Sequence, residues 1–288
     1  MFTVKQHICY PGNPAKPNED IIGFGKDYCF ALDGASCLSG VNIMERGSDA
    51  TWLVENVAAD LCQRLDAGDA RPTEEILTDI LLPLKARYHS VLAETGMTEP
   101  DDSPSAGFAM FRVRNGNLEF FGMGDCVGVA ALPGGKEFYS LDTNLPNLDN
   151  QVLEQMMQLH LEKKIPVLQA KELCNEQLLT NRKKRNHPDG YWVLDLDTPE
   201  ALGNARQFSW ELTEPVSVAV FSDGFAQLTD VFGFYEGYFE LFSAIQESDL
   251  EQLCLRLRLA QDADPDCNDY PRFKLRDDTC VLWGIFEP

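Results

Sequence analysis

Over residues 107–140 hydrophobic side chains recur at every second position, while on either side of that stretch they recur at helical spacing. AGFAMFRVR and NLEFFGMG flank Asn115-Gly116, a pair that supplies the positive φ a two-residue hairpin turn needs. VGVAAL, the turn Pro133-Gly134-Gly135 and KEFYSL continue the meander. Ahead of it, Trp52, Val57, Leu61 and Leu65 predict an amphipathic helix over 48–65. A second helix is predicted over 73–92, opening on Thr73-Glu74-Glu75-Ile76 with acids in its first turn. The short Asp-Ala-Gly link between them implies antiparallel packing. Residues 2–9 and 27–32 read as strands separated by the proline-rich loop PGNPAKPNED. Helical periodicity returns over 149–182, followed by a polar loop at 183–190. VSVAVF (216–221) is apolar throughout, as a strand buried on both faces would be. Residues 247–261 predict a helix, and TCVLWGIF closes the chain as a strand. Strands and helices come in runs and not in strict βαβα alternation. That places the chain in the α+β class, with antiparallel sheets covered by helix pairs. The insertion at 149–205 reads as a cap within one domain spanning 1–288.

Composition narrows the chemistry. The 288 residues are 44% hydrophobic, which supports a sizeable core and excludes disorder. No apolar run approaches the ~20 residues of a membrane span, and the first residues lack a secretory signal's apolar core. The expectation is a cytoplasmic protein with no membrane partner. Nine cysteines stand singly, without CxxC, and the four histidines lie far apart. Reduced, packed thiols are expected, and a zinc site is not. A net charge of -22 opposes a nucleic-acid surface. Acidity on this scale usually serves solubility, but some of it can be gathered to hold cations.

The placement of the acids favours gathering. Asp33 ends the strand YCFAL and precedes Gly34; Asp125 follows FFGMG; Asp223 ends VSVAVFS and precedes Gly224. Asp277 and Asp278 stand immediately before the last strand, and Glu19 and Asp20 before the second. Singly, each Asp-Gly is most simply a turn. Together, aspartates at one strand end after another can converge on one edge, where like charges are costly unless hard divalent cations intervene.

The series NED (18–20), LDGAS (32–36), GMGDC (122–126), FSDGF (221–225) and RDDTC (276–280) resembles the metal-dependent protein serine/threonine phosphatases of the protein phosphatase 2C type, in their bacterial form. The motifs come in the family's order across almost the whole chain, and GYWVLDLDTPEAL (190–202) is similar to the segment before the SDG strand in bacterial members. The resemblance implies a four-layer sandwich of two antiparallel sheets flanked by helix pairs. It implies that Asp33 bridges two cations, that Asp223 and Asp277 complete the first, and that Glu19 with the Gly34 carbonyl holds the second. Asp125 matches a looser third position. Oxygen ligands throughout call for Mn²⁺ or Mg²⁺. A water activated between the two cations would then attack phosphoserine or phosphothreonine of a protein phosphorylated by a serine/threonine kinase, as in signalling.

The match has departures. The family's phosphate-binding arginine, four residues before the acidic pair, is Ala15 here, with Lys16 beside it as a candidate substitute. Lysine binds phosphate as a point charge and not bidentately. Ala35 stands where eukaryotic members carry a histidine, and Cys126 replaces the serine of GDS. RDDTC admits two registers, of which the one with Asp277 as ligand is preferred. The basic run Arg182-Lys183-Lys184-Arg185 is either a solvated helix end or a patch that steers acidic substrates. Two other functions stay open: a non-catalytic module that binds phosphorylated ligands, and a phosphatase of a small phosphorylated molecule.

Overall fold

The computed structural model describes residues 1–38, 40–96 and 103–288. Two antiparallel sheets form its centre. The first has the order β1-β11-β10-β6-β7, comprising β1 (Phe2–Tyr10), β11 (Thr279–Phe286), β10 (Val216–Phe221), β6 (Val127–Leu132) and β7 (Lys136–Ser140). The second has the order β2-β3-β4-β5-β9: β2 (Asp20–Phe24), β3 (Tyr28–Ala35), β4 (Ser105–Arg114), β5 (Asn117–Met123) and β9 (Arg206–Glu211). A two-residue strand, β8 (Leu194–Asp195), also pairs with β4.

Strand periodicity explains the layering. In β3, Cys29 and Ala31 point between the sheets, while Tyr28, Phe30 and Leu32 point outward. The outward set is covered by α1 (Asp49–Asp66) and α2 (Thr73–Thr95) through Trp52, Leu53, Val57, Leu61, Ile80 and Tyr88. In β10, Val216, Val218 and Val220 face the inter-sheet core. Ala219 and Phe221 face α6 (Asp223–Asp230), α7 (Tyr238–Glu247) and α8 (Leu250–Ala263). Both faces of β10 are covered, which is why its sequence is apolar but for the half-buried Ser217. Helices, sheet, sheet and helices therefore stack in four layers, as expected from the sequence.

Three helices lie between β7 and β8: α3 (Asn144–Lys163), α4 (Val167–Leu173) and α5 (Asn175–Arg182). They build a small core of their own from Val152, Met156, Val167, Ala170 and Cys174, closed by Cys267 and Phe273 of the segment before β11. From residue 192 onward the stretch assigned to the cap returns to the second sheet: Leu194, Ala201 and Leu202 pack into the α1–α2 core.

Several elements have no counterpart in the sequence reading. β2 and β9 are edge strands, β8 is fixed by its pairing with β4, and α7 follows an aromatic, glycine-containing stretch. Among the described residues no helix is long and apolar enough to cross a membrane.

Candidate metal centre

The sheets bring the acidic strand ends together. Antiparallel register sets Asp20 of β2 directly opposite Asp33 of β3, with Asp33 also opposite Gly107 of β4. Asp125 sits in the β5–β6 turn and packs against Gly107, where an added Cβ would stand 2.8 Å from its carboxylate. Arg206 holds that turn by donating to the Gly124 carbonyl at 3.0 Å. Asp223 begins α6, straight off β10, and its carboxyl lies within hydrogen-bonding reach of Asp33. Asp277 enters from the segment before β11.

Gly34 and Gly224, the glycines of the two Asp-Gly pairs, both have ordinary backbone conformations, so neither serves a positive-φ turn. They are needed for space instead. A Cβ on Gly34 would stand 2.8 Å from the Glu19 carbonyl, which accepts the Gly34 amide at 2.9 Å. A Cβ on Gly224 would collide with the Asp278 carbonyl.

The two aspartates of RDDTC do different work. Asp278 accepts the Gly12 amide on one oxygen and the Glu19 amide on the other, each at 2.7 Å. It staples the N-terminal loop to the last strand. Asp277 faces the other carboxylates, paired with the Lys274 ammonium at 2.7 Å. Glu19 accepts hydrogen bonds from Ser36 and Ser48, and Ser48 also caps α1.

Burial shifts the protonation of the cluster. Burial, reinforced by the other carboxylates, holds Asp33 well above the usual carboxylate range. Asp20 is raised likewise by burial, against a hydrogen bond from Ser222. Burial and the neighbouring Asp277 push Asp223 to about 7; burial and Asp149 push Asp125 to about 6. One oxygen each of Asp20 and Asp33 is buried with no hydrogen-bond partner. Among the described residues no three His, Cys, Asp or Glu side chains are already drawn into a ligand set around one point. Asp277 is engaged by Lys274, and Glu19 by the hydroxyls of Ser36 and Ser48. Orphaned buried oxygens in an all-carboxylate surround fit hard divalent cations better than any thiol- or imidazole-seeking ion.

The raised pKa values set a sign. Without metal, the folded chain keeps protons on Asp223 and Asp125 that the unfolded chain releases near pH ~4. The folded state binds more protons in that window, so this contribution is complete below pH ~4 and is lost as pH rises through ~7. In chelator, melting temperature should fall between pH ~5 and ~8, and Asp223→Asn should flatten the fall. With Mn²⁺, protons compete with the ion, so the metal-induced increase should grow over the same range. A parent and Asp223→Asn with the same slope in chelator would contradict this assignment.

No protein-family model matches the sequence, and no curated protein matches it. Solved structures do. A serine/threonine phosphatase of Mycobacterium tuberculosis, PstP/Ppp, matches at TM-score 0.57 and 14% identity, with 100% of both chains covered. Stp1, a serine/threonine phosphatase of Staphylococcus aureus, matches at TM-score 0.54 and 13% identity, covering 100% of this chain and 96% of that one. The PPM Ser-Thr phosphatase MsPP of Mycobacterium smegmatis, in complex with cacodylate, matches at TM-score 0.51 and 14% identity, covering 97% and 96%. The fold is that of the PPM-type serine/threonine phosphatases.

Within this PPM fold the structure adds Asp149, which no sequence motif marks, and refines the places of residues that motifs did mark. Asp20 is more deeply buried than Glu19 beside it. Asp149 of α3 lines the cavity over the cluster, pushed to about 7 by burial and Asp223 and opposed by Arg182 and Lys171. Lys16 lies exposed on the loop at the rim, in a cleft shared with Glu19, Lys274 and Asp277. The basic run divides: Arg185 is buried in an ion pair with Asp195 at 2.7 Å and donates to the Ser103 carbonyl, so it is structural. Arg182 lines the cavity.

Proposed function

We propose that the chain is a metal-dependent phosphatase that removes phosphate from phosphoserine and phosphothreonine of proteins. The observation that carries this reading is the convergence of Asp20, Asp33, Asp125, Asp223 and Asp277 in a PPM fold, with buried oxygens of Asp20 and Asp33 left without a hydrogen-bond partner. In this reading Asp33, central in the cluster, would be shared by two cations, Asp223 and Asp277 would hold the first, and Glu19 with the Gly34 carbonyl would hold the second. Asp125 would serve a looser third. Mn²⁺ or Mg²⁺ held there would supply an acidified water and neutralise charge on the phosphoryl group. One solved structure of similar fold, the catalytic domain of PstP, is in complex with two manganese ions (TM-score 0.54, 12% identity, 100% of both chains covered).

A protein substrate is favoured by the shape of the site. The cavity over the carboxylates, about 300 Å³, opens beside a cleft of about 800 Å³ that shares Asp125, Asp149, Asp223 and Asp277 with it. The small cavity suits a phosphoryl group, and the cleft, with Leu153, Met157 and Tyr270 along it, suits flanking peptide. The phosphoprotein would be the product of a serine/threonine kinase in the same, cytoplasmic, compartment.

Purified protein with Mn²⁺ should release phosphate from a phosphothreonine peptide, stop on addition of chelator and resume with fresh Mn²⁺ or Mg²⁺. Thiol alkylation that preserves the fold should leave turnover intact. Metal and phosphopeptide binding without turnover would instead identify a non-catalytic module. Hydrolysis of small phosphate esters with no action on phosphopeptides would identify a metabolite phosphatase. A covalent phosphocysteine would overturn the chemistry altogether.

A further inference from the structure

We propose that the phosphate of the substrate is clamped by Lys171 of the cap and Lys274 of the segment before β11, in place of a cation from the N-terminal loop. This rests on the phosphatase reading above. Lys171 is built in. Its helix, α4, is fixed by Val167 and Ala170 in the cap core with Phe273, by the Val167 amide donating to Asn268 at 3.0 Å, and by the Leu168 amide donating to the Asp266 carbonyl at 3.4 Å. The segment they grip is itself rigid: Arg272 and Asp264 form a buried ion pair at 2.8 Å, and Asp264 accepts the amides of Asn268 and Tyr270. From that base the Lys171 ammonium donates to the Phe273 carbonyl at 3.1 Å and lies 5.7 Å from the centre of its ring.

The placement puts like charges together. Lys171 and Lys274 both line the cavity over the carboxylates, whereas Lys16 lines the neighbouring cleft, which Lys171 does not reach. Burial and the neighbouring Lys274 lower the Lys171 pKa, with Asp277 and Asp149 opposing. In a chain of net charge -22, two ammonium groups line the cavity that an anion must enter, and Lys16 stands apart in the neighbouring cleft. Lys274 is held by Asp277 at 2.7 Å, and a cation taken up by Asp277 would free it to face the anion. A phosphate dianion between the two lysines relieves their repulsion and lies beside the carboxylate cluster where the metals are proposed.

Calorimetric titration of inorganic phosphate into Mn²⁺-loaded protein tests the clamp, alongside steady-state kinetics on a phosphopeptide and a small aryl phosphate. Lys171→Met keeps the apolar stem over Phe273 and removes the charge. It should weaken phosphate binding and raise KM for both substrates about tenfold, with unchanged Mn²⁺-induced stabilisation. Lys171→Arg should restore most of the loss, and Lys16→Ala should change either quantity by less than about twofold. Parent-like phosphate affinity in a Lys171→Met protein that still binds Mn²⁺ overturns the clamp while the phosphatase reading stands, as does a dominant effect of Lys16→Ala. A parent protein that neither binds phosphate nor hydrolyses it with Mn²⁺ present overturns both.

Discussion

Asp33→Asn is expected to cut turnover by about 10³-fold or more and to remove most of the stabilisation that Mn²⁺ confers. Asp33 stands at the centre of the cluster: Asp20 is opposite it in register, Asp223 is within hydrogen-bonding reach, and Asp125 and Asp277 raise its pKa further. As the ligand proposed to serve two cations, it has no substitute. The amide is isosteric and relieves repulsion among buried carboxylates, so the metal-free melting temperature should hold or rise. The metal-induced increase should shrink more than in any other single variant. Asp223→Asn and Asp277→Asn each remove one proposed ligand of one cation, and high Mn²⁺ should partly rescue them. Asp125→Asn should slow turnover and leave the two-metal centre occupied. Thermal melts with and without Mn²⁺, paired with phosphopeptide kinetics, check this ranking. Near-normal metal stabilisation and turnover in Asp33→Asn would refute the shared-ligand assignment.

Gly224→Ala is expected to be nearly as damaging, although it touches no proposed ligand. The Gly224 backbone is not in the left-handed region, so alanine meets no local strain and even gains up to about 1 kcal/mol of helix propensity in α6. If the glycine served only a turn, the change would be neutral or stabilising. Instead its Cβ would meet the Asp278 carbonyl, backbone that cannot swing aside. The start of α6 and the residue-278 segment must then part, which displaces Asp223 and Asp277 together and strains the Asp278 contacts to Gly12 and Glu19. A cost of about 1–3 kcal/mol is expected from overpacking. Displacement of the order of 1 Å at two proposed metal ligands should cost about 10²-fold in kcat. Denaturant midpoints and kcat measure the two effects, and parent-like values for both would show that the close approach is not needed.

The layered α+β fold was legible because its central elements carry their burial in their spelling. VSVAVF is apolar on both faces because sheet and helices cover both, and Asn115-Gly116 announces the β4–β5 hairpin. The elements that escaped notice are those whose pairing is decided elsewhere. RQFSWE of β9 is an exposed edge strand without clean alternation, and β8 exists only because Asp195 and Leu194 meet Ser105 and Ala106. The acidic edge was readable for a related reason: a carboxylate at the end of a buried strand is conspicuous, and the motifs recur in order. The sequence admitted two registers for RDDTC and only favoured Asp277, because the roles of the pair depend on which carboxylate accepts amides more than 250 positions away, from Gly12 and Glu19. Lys171 and Asp149 carry no local signal at all. They reach the site because the cap folds onto Phe273 and Cys267.

Anomalous diffraction from crystals of the unmodified protein equilibrated with Mn²⁺ tests the central claim most directly. Two manganese peaks on either side of the Asp33 carboxylate are expected, one contacted by Asp223 and Asp277 and the other by Glu19 and the Gly34 carbonyl. A fully occupied crystal with no peak at Asp33, or with metal held by cysteine or histidine instead, would contradict the account.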